Sequence, residues 1–288
     1  MSAKRQQLMQ ALRGALPSAN LLWQKEDTAP YECDGLAAYR TLPLAVALPE
    51  NEAQVQAVLK VCNEFGVPVV PRGAGTGLSG GAMPMQEGIV LSTAKMNQIL
   101  NIDPLSRRAT LQPGVRNLAI SDAAAPYGLY YAPDPSSQIA CSIGGNVAEN
   151  SGGVHCLKYG LTVNNVIQVR AVLMDGEVVE FGTEALDAPG LDLLAVMIGS
   201  EGMLAVVTEV TVRLVPRPPV ARVIMASFDD MTKAGNAVAD VIAAGLIPAG
   251  LEMMDKAATR AVEEFVHAGY DLDAEAILLC ESDGTEEE

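Results

Sequence analysis

The segment PRGAGTGLSGG, Pro71–Gly81, constrains the fold of this chain more than any other, because it places five glycines between two apolar stretches. The stretch VPVV, residues 67–70, comes directly before it, and GIVLS, residues 88–92, follows shortly after. Glycine loses more backbone entropy on folding than any other residue, so such a run requires a structural reason. Three interpretations have to be separated: a dinucleotide-binding fingerprint, a phosphate-binding nest of another kind, and a flexible loop.

The spacing of Gly75, Gly77 and Gly80 matches the dinucleotide fingerprint GxGxxG. That fingerprint requires a helix that opens on the glycines and receives the pyrophosphate at its N-terminus. Here Pro84 and Gly88 interrupt the next segment, which returns directly to an apolar strand. A Rossmann site is therefore disfavoured, and a P-loop is excluded because no GK[ST] sequence follows.

A nest of backbone N–H groups is the interpretation that we favour for this loop. Successive N–H groups without bulky side chains can curl around a phosphate and supply fixed partial positive charge. Thr76 and Ser79 add hydroxyl donors, and Arg72 adds one cation. Pro71 and Leu78 are poor choices for a flexible linker, and apolar strands bracket the loop.

The net charge of −16 favours hydrogen-bond donors that belong to the binding site itself. An anionic ligand cannot rely on the overall field of such a chain and must be met by groups within its site. The same charge excludes binding to the nucleic-acid backbone, which requires a positive surface. In the nest we expect Gly75 and Gly77 to tolerate no bulky side chain, because a Cβ would crowd the phosphate or demand a disfavoured backbone angle.

A second glycine-rich segment extends from residue 133 to residue 160 and contains the sequence IGGNVAENSGG. Its small, nearly uncharged residues indicate a flat ring that the backbone approaches closely, while a tight helix contact through IGGNVA is the alternative explanation. A third short cluster, IGSEGM, covers residues 198–203. Together the three clusters predict a large cofactor that lies across one domain.

The order of predicted elements is that of an α+β protein. A helix is predicted between the cap residues Asn51 and Gly66, two short strands around residue 105, and a hairpin at the turn Asp175–Gly176. The cluster PRPP, residues 216–219, is the predicted domain boundary. Beyond it we expect a strand, two helices separated by LIPAG, the strand AEAILLC and a frayed acidic end, ESDGTEEE.

The cysteines and histidines give no sign of a metal centre. Five scattered cysteines without a CxxC pair argue against a disulfide framework or a zinc ribbon and favour a reducing cytoplasm. The two histidines are too few for a His-rich site. No apolar run approaches the roughly 18 to 20 residues of a membrane span. The N-terminal residues, with Leu8, Leu12 and Leu16 at helical spacing, predict an amphipathic helix rather than a signal peptide.

The glycine loop, the PDPSS…IGGNVAEN…HCLKYG block and GSEGMLAVVTEVTV resemble the FAD domain of the vanillyl-alcohol-oxidase-type, or PCMH-type, flavoproteins. With PYECDGLAAYRTLPLAVALP, RVIMASF and GLEMMDKAA, essentially the whole chain is similar to the FAD-linked 2-hydroxy-acid dehydrogenases that include the FAD-binding subunits of bacterial glycolate oxidases. The resemblance implies a PCMH-type FAD-binding domain of two α+β subdomains, followed by the start of a second α+β substrate or cap domain. We place an N-terminal helical segment at 1–38, the FAD domain at 39–217 and the incomplete second domain at 218–288.

The resemblance also implies which residues bind FAD. The pyrophosphate is expected on Arg72, Gly73, Ala74, Gly75, Thr76, Gly77, Leu78 and Ser79. The ribityl chain and the ring are expected along Pro133, Asp134, Pro135, Ser136, Ser142, Gly144, Gly145, Asn146, Ala148, Gly152, Gly153 and Gly160, and the rest of the cofactor near Glu201 and Val207. Some relatives attach FAD through a histidine in or near the pyrophosphate loop; this loop has none, so non-covalent FAD is implied.

The implied reaction is hydride transfer from the 2-carbon of a small 2-hydroxy acid to flavin N5, with glycolate as the favoured substrate and D-lactate as the alternative. Electrons would pass to partner subunits of a glycolate oxidase complex, an iron–sulfur subunit and a second FAD-domain subunit. The expected location is the cytoplasm, in association with the inner face of the membrane through those partners.

Relatives continue beyond AEAILLC with a segment that carries the histidines and the acidic residue proposed for metal and substrate binding. We therefore expect this chain to be truncated at its C-terminus, and its sequence identifies no catalytic base. A FAD-binding module for assembly or electron transfer, without catalysis of its own, is the alternative function. His155 lies in the predicted flavin block, where a packed or surface role is the alternative, and His267 is expected to complement a helix dipole.

Overall fold

The computed structural model describes residues 3–185 and 190–287. The chain divides into two compact units. Unit 1 consists of Met1–Tyr131, Ser136–Ser151 and Thr162–Val215. Unit 2 consists of Ala132–Pro135, Gly152–Leu161 and Pro216–Glu288. Within the described ranges, no helix is long and apolar enough to cross a membrane.

The α-helices of the described residues are α1 (Ala3–Ala15), α2 (Lys25–Thr28), α3 (Glu52–Phe65), α4 (Asn117–Ala124), α5 (Ile143–Glu149), α6 (Cys156–Tyr159), α7 (Thr162–Asn165), α8 (Leu193–Met197), α9 (Met231–Ala243) and α10 (Lys256–Val266). Short 3-10 helices cover Ser18–Asn20, Ala29–Tyr31 and Ala125–Tyr127.

The strands are β1 (Leu21–Leu22), β2 (Ala45–Ala47), β3 (Val69–Arg72), β4 (Ile89–Ser92), β5 (Ile99–Asp103), β6 (Arg108–Leu111), β7 (Leu129–Tyr130), β8 (Val166–Val172), β9 (Val178–Gly182), β10 (Val206–Arg213), β11 (Val215–Pro216), β12 (Val220–Phe228), β13 (Gly250–Asp255) and β14 (Ala276–Gly284).

Unit 1 contains a four-stranded sheet in the order β1-β2-β4-β3, in which β2, β3 and β4 are parallel. Helix α3 packs on it, and its limits are the predicted ones. The Asn51 side chain accepts a hydrogen bond from the Gln54 N–H, and Gly66 ends the helix at φ +62°. Buried Leu59 and Leu91 belong to one apolar cluster with Leu12 of α1, so the N-terminal helix is part of this core.

A second, antiparallel sheet of unit 1 has the order β5-β6-β10-β8-β9. The two short strands predicted around residue 105 are confirmed as β5 and β6, and the predicted hairpin is confirmed as β8/β9; both are antiparallel pairs. Helix α5 belongs to the core of this sheet, because Ile143 and Val147 are fully buried in the same cluster as Val210 of β10. The IGGNVA sequence is therefore a helix with an apolar face.

Unit 2 contains an antiparallel sheet in the order β12-β14-β13, together with α9 and α10. Strand β13 lies between LIPAG and α10, where no strand was predicted. The expectation of a frayed acidic end beginning at Glu281 was wrong, because β14 continues to Gly284 and pairs with the start of β12. Backbone pairing with residues 220–223 orders these polar residues. The buried Asp283 side chain also accepts hydrogen bonds from Lys158 and Tyr159.

The unit boundary at Val215 and Pro216 lies beside the PRPP cluster. Unit 2 also includes residues 132–135 and 152–161 from the middle of the chain. The three domain ranges stated above remain predictions.

Candidate cofactor site

The glycine loop begins where β3 ends, at Arg72, and continues as turns and bends to β4. In this described stretch no helix begins between Gly73 and Gly88. The geometry required by a Rossmann site or a P-loop is therefore missing, as predicted. Since β3 and β4 are parallel, the loop leaves the carboxyl end of its sheet.

A cavity of about 300 Å³ in unit 1 is lined by this loop, by α5 and by residues between 197 and 207. Fourteen of the predicted cofactor residues meet there: Arg72, Gly73, Ala74, Gly75, Thr76, Gly77, Leu78, Ser142, Gly144, Gly145, Asn146, Ala148, Glu201 and Val207. All three glycine clusters thus contribute to one cavity, although they are far apart in sequence.

The other predicted residues lie elsewhere. Ser79 and Ser136 belong to unit 1 outside the cavity lining. The remaining ones belong to unit 2: Pro133, Asp134, Pro135, Gly152, Gly153 and Gly160. Their contacts with FAD remain a prediction.

Gly144 and Gly145 of the second cluster lie where a side chain is excluded, each by a different neighbour. A Cβ on Gly144 would lie 2.6 Å from Cβ of Pro113, so this position is needed for close packing. A Cβ on Gly145 would lie only 3.3 Å from the Ser142 hydroxyl oxygen, which caps α5 by accepting from the Gly145 N–H at 3.4 Å. The IGGNVA segment therefore makes a tight helix contact and also lines the cavity.

Within the loop, Gly75 has φ +73°, a left-handed conformation that favours glycine, and a Cβ there would also overlap the Arg72 guanidinium. Gly77 is outside that region, and its nearest obstacle is Glu149 Oε1 at 3.3 Å from the position of a Cβ. Of the two reasons expected, the disfavoured backbone angle applies to Gly75 and not to Gly77, where crowding of the phosphate remains a prediction.

The Arg72 guanidinium contacts protein groups beneath the loop. Its Nη1 donates to the Cys33 carbonyl at 2.7 Å and to the Ala82 carbonyl at 3.4 Å. Its Cζ lies 5.6 Å from the centre of the Tyr31 ring. Arg72 is buried, and this burial lowers the pKa of its guanidinium.

The segment Tyr31–Leu36 supports the loop, which sequence reasoning missed. The buried Asp34 carboxylate accepts from the Leu36 N–H at 2.9 Å and from the Ala82 N–H at 3.4 Å. A Cβ on Gly35 would lie 2.6 Å from the Gly77 carbonyl oxygen. The aspartate–glycine pair within YECDGL is the only local sign of such a turn.

Two carboxylates line the cavity beside the loop. The Ser79 hydroxyl donates to Glu149 at 2.9 Å. A Cβ on Gly81 would lie 3.2 Å from Glu149 Oε1 and 3.3 Å from Glu201 Oε2. Glu201 was predicted as a cofactor residue, whereas Glu149 was not. These oxygens would repel a phosphate and would accept hydrogen bonds from hydroxyl groups.

A second cavity of unit 1, of about 390 Å³, shares Gly73, Ala74 and Ser142 with the first. Its lining also includes Asn97 and Arg116. The first residues of the glycine loop therefore line both cavities.

In unit 2, His155 lies between two carboxylates. Its Nδ1 is 2.6 Å from Asp134 Oδ2, and its Nε2 is 3.5 Å from Glu281 Oε1. The hydrogen bond to Asp134 raises the pKa of His155 to about 9. His155 therefore has a packed, ion-paired environment. His267 is the C-cap of α10 at φ +52°, just beyond the last turn in which it was expected.

Among the residues that the structure describes, no group of three or more His, Cys, Asp or Glu side chains is arranged to hold a metal ion.

Two family models match the chain. Residues 43–182 match the FAD binding domain, and residues 217–288 match the C-terminal domain of FAD linked oxidases. The first match contains the glycine loop and α5, and the second contains the three-stranded sheet of unit 2.

The chain is 63% identical over 282 residues to the glycolate oxidase subunit GlcD of Escherichia coli K12, covering 98% of this chain and 56% of that protein. It is 43% identical to the Bacillus subtilis GlcD, covering 88% of this chain and 54% of that protein. An Archaeoglobus fulgidus D-lactate dehydrogenase is 44% identical, with 76% and 48% covered. The chain spans about half the length of these relatives.

Solved structures show the fold. An alkyldihydroxyacetonephosphate synthase superposes with TM-score 0.84 at 18% identity, covering 98% of this chain and 56% of that chain. A p-cresol methylhydroxylase superposes with TM-score 0.82 at 19% identity, covering 100% and 62%. The predicted PCMH-type α+β fold is confirmed.

Proposed function

Because the chain belongs to the PCMH-type family of FAD-linked oxidases, we propose that the cavity of unit 1 holds the diphosphate part of FAD, bound without a covalent link. We further propose that the protein serves the oxidation of a small 2-hydroxy acid. The observation that carries the proposal is the meeting of three separate glycine clusters in one cavity. A GxGxxG sequence alone would not be sufficient evidence for a cofactor site.

The residues of the cavity fit such a cofactor. Backbone N–H groups of the loop can donate to a diphosphate without a basic surface, which the net charge of −16 makes necessary. The carboxylates of Glu149 and Glu201 line one side of the cavity, where they would repel a phosphate. They can instead accept hydrogen bonds from the sugar hydroxyls of the cofactor. Met197, Ala205 and Val207 supply an apolar wall that suits a flat heteroaromatic base.

FAD supplies the hydride acceptor of the reaction when it is bound. The residues of the chain bind the cofactor in this site and orient it. The loop fixes the diphosphate, and the packed α5 keeps Gly145 and Asn146 at the cavity wall. Since Pro71–Gly81 contains no histidine, the proposed attachment is non-covalent.

Glycolate is the favoured substrate and D-lactate the second, in accordance with the names of the similar relatives. We propose that the electrons leave through an iron–sulfur subunit and a second FAD-domain subunit of a glycolate oxidase complex in the cytoplasm, at the inner face of the membrane.

The test is reconstitution of the chain with excess FAD, followed by removal of free flavin and a dye-reduction assay with glycolate, D-lactate and no substrate. Retained flavin with dye reduction that depends on glycolate or D-lactate supports FAD binding and the oxidation of a 2-hydroxy acid. Retained flavin without reduction by either acid supports the alternative, a FAD-binding module without catalysis of its own. Absence of retained flavin contradicts both.

A further inference from the structure

We propose that Arg72 is a positioning residue that holds the glycine loop against the segment Tyr31–Gly35, rather than a cation that contacts the phosphate. This inference rests on the proposed function, because it concerns the loop that would bind the diphosphate. It reverses the role that the sequence predicts for the arginine.

The hydrogen bonds of the guanidinium are the first reason. Nη1 donates to the carbonyl of Cys33, which is 39 residues away in sequence, and more weakly to that of Ala82. Arg72 ends β3 at the start of the glycine loop, and Ala82 follows Gly81, its last residue. One side chain thus connects both ends of the loop to a third segment of the chain.

The packing around the guanidinium is the second reason. The group lies 5.6 Å from the Tyr31 ring centre, within the range of a cation–π contact. A Cβ on Gly75 would overlap it, so the loop backbone passes directly over the side chain. Displacing the guanidinium towards a ligand would remove the support under Gly75.

The main chain of Arg72 is also fixed, because its carbonyl accepts from the Thr93 N–H at 2.9 Å. The opposite side of the loop is equally confined, since Gly35 lies against the carbonyls of Thr76 and Gly77. A Cβ on Gly35 would lie 2.8 Å from the Thr76 carbonyl oxygen and 2.6 Å from that of Gly77, so this part of the loop packs closely on Gly35. We infer that this confinement leaves the loop N–H groups available for the diphosphate.

The chemistry of the side chain explains why arginine is needed for this task. A guanidinium donates in several fixed directions and stacks on an aromatic face, whereas a lysine ammonium is a flexible point charge. Lysine binds phosphate well as a point charge. Replacing Arg72 by lysine therefore separates a phosphate-binding role from a positioning role.

The experiment compares the wild-type chain with Arg72→Lys, Arg72→Gln and Tyr31→Leu, and uses Arg213→Lys as the control, because Arg213 is exposed on β10 of the same unit. The first measurement is the FAD dissociation constant at low and high salt. The second is hydrogen exchange of the loop amides, residues 73–81, in the protein without FAD.

A positioning role predicts that Arg72→Lys weakens FAD binding about as much as Arg72→Gln, by tenfold or more, or about 1.4 kcal/mol. It also predicts faster loop exchange without FAD, a smaller effect in Tyr31→Leu, none in Arg213→Lys, and the wild-type salt dependence in all variants. Tyr31→Leu keeps the inference testable if an Arg72 variant fails to fold, since an unchanged loop in it would count against the contact.

Wild-type affinity and wild-type loop exchange in Arg72→Lys would overturn the inference. A weaker salt dependence in Arg72→Gln alone would instead identify a phosphate contact. If the wild-type chain binds no FAD, the proposed function fails, while the exchange measurement still decides whether Arg72 holds the loop.

Discussion

Arg170 binds the carboxylate of Glu52 through two nitrogens, with Nε 2.8 Å from Oε2 and Nη2 3.0 Å from Oε1. The pair joins α3, which packs on the parallel sheet, to β8 of the antiparallel sheet. Thr208 of β10 donates to the same carboxylate at 2.8 Å. Residues from the parts of unit 1 that contain each of the two sheets line the cavity. The contact through two nitrogens therefore helps to fix the position of one sheet relative to the other.

Arg170→Lys should lower the stability of unit 1, because lysine cannot reproduce the two parallel hydrogen bonds to Glu52. We expect a melting temperature lower by a few degrees, consistent with a loss of about 1 kcal/mol. Thermal denaturation followed by circular dichroism measures this, with Arg213→Lys as the control. Equal melting temperatures for Arg170→Lys and the wild type would show that the contact contributes little.

Substitutions of the loop glycines should differ from one another. Gly75→Ala combines a left-handed backbone angle with overlap of the Arg72 guanidinium, so FAD content after reconstitution should fall at least tenfold. Gly77→Ala avoids the backbone strain and, among protein groups, meets Glu149 at 3.3 Å, so its loss of flavin should be smaller than that of Gly75→Ala. Flavin absorbance per chain is the measurement, and Gly14→Ala, where a Cβ has open space, is the control. Equal losses at positions 75 and 77 would contradict the assignment of strain.

The stability of unit 2 should depend on pH through His155. Its pKa is raised in the folded protein, so its contribution is fully present below the unfolded value of about 6.5 and is lost as pH rises through about 9. The carboxylates of Asp134 and Glu281 face the His155 ring. The Tyr159 ring lies beside the His155 ring, and the Tyr159 hydroxyl donates to Asp283, which also pairs with Lys158.

His155→Gln should therefore destabilise the protein at pH 6 and make little difference at pH 10. Denaturant unfolding of both proteins at the two pH values checks this. A difference that is the same at both values would mean that the histidine contributes by packing and not by its charge.

The parts of the fold that the sequence predicts are those with local signals. Asn51 and Gly66 cap α3 through their own neighbours, and the Asp175–Gly176 turn sets the β8/β9 hairpin. The loop could be separated from a Rossmann site because Pro84 and Gly88 exclude a helix locally.

The parts that the sequence does not predict depend on contacts between distant segments. Nothing near Arg72 shows that its guanidinium reaches the carbonyl of Cys33, which is 39 residues away. Strand β13 and the last residues of β14 are ordered by pairing with other strands and, at Asp283, by hydrogen bonds from Lys158 and Tyr159. Glu149 enters the cavity only because α5 packs beside the loop.

The non-covalent attachment has its own test. Acid precipitation of the reconstituted protein should release all flavin into the supernatant, because the loop contains no histidine that could form a tether. A precipitate that stays yellow would contradict this.

Comparing the retention of FAD with that of riboflavin tests directly whether the loop binds a diphosphate. The chain is incubated with each flavin, passed through a gel-filtration column, and analysed for flavin absorbance in the protein peak. We expect about one FAD per chain, displacement of that FAD by excess ADP, and no retained riboflavin, which lacks the diphosphate. Equal retention of the two flavins, or of neither, would contradict this expectation.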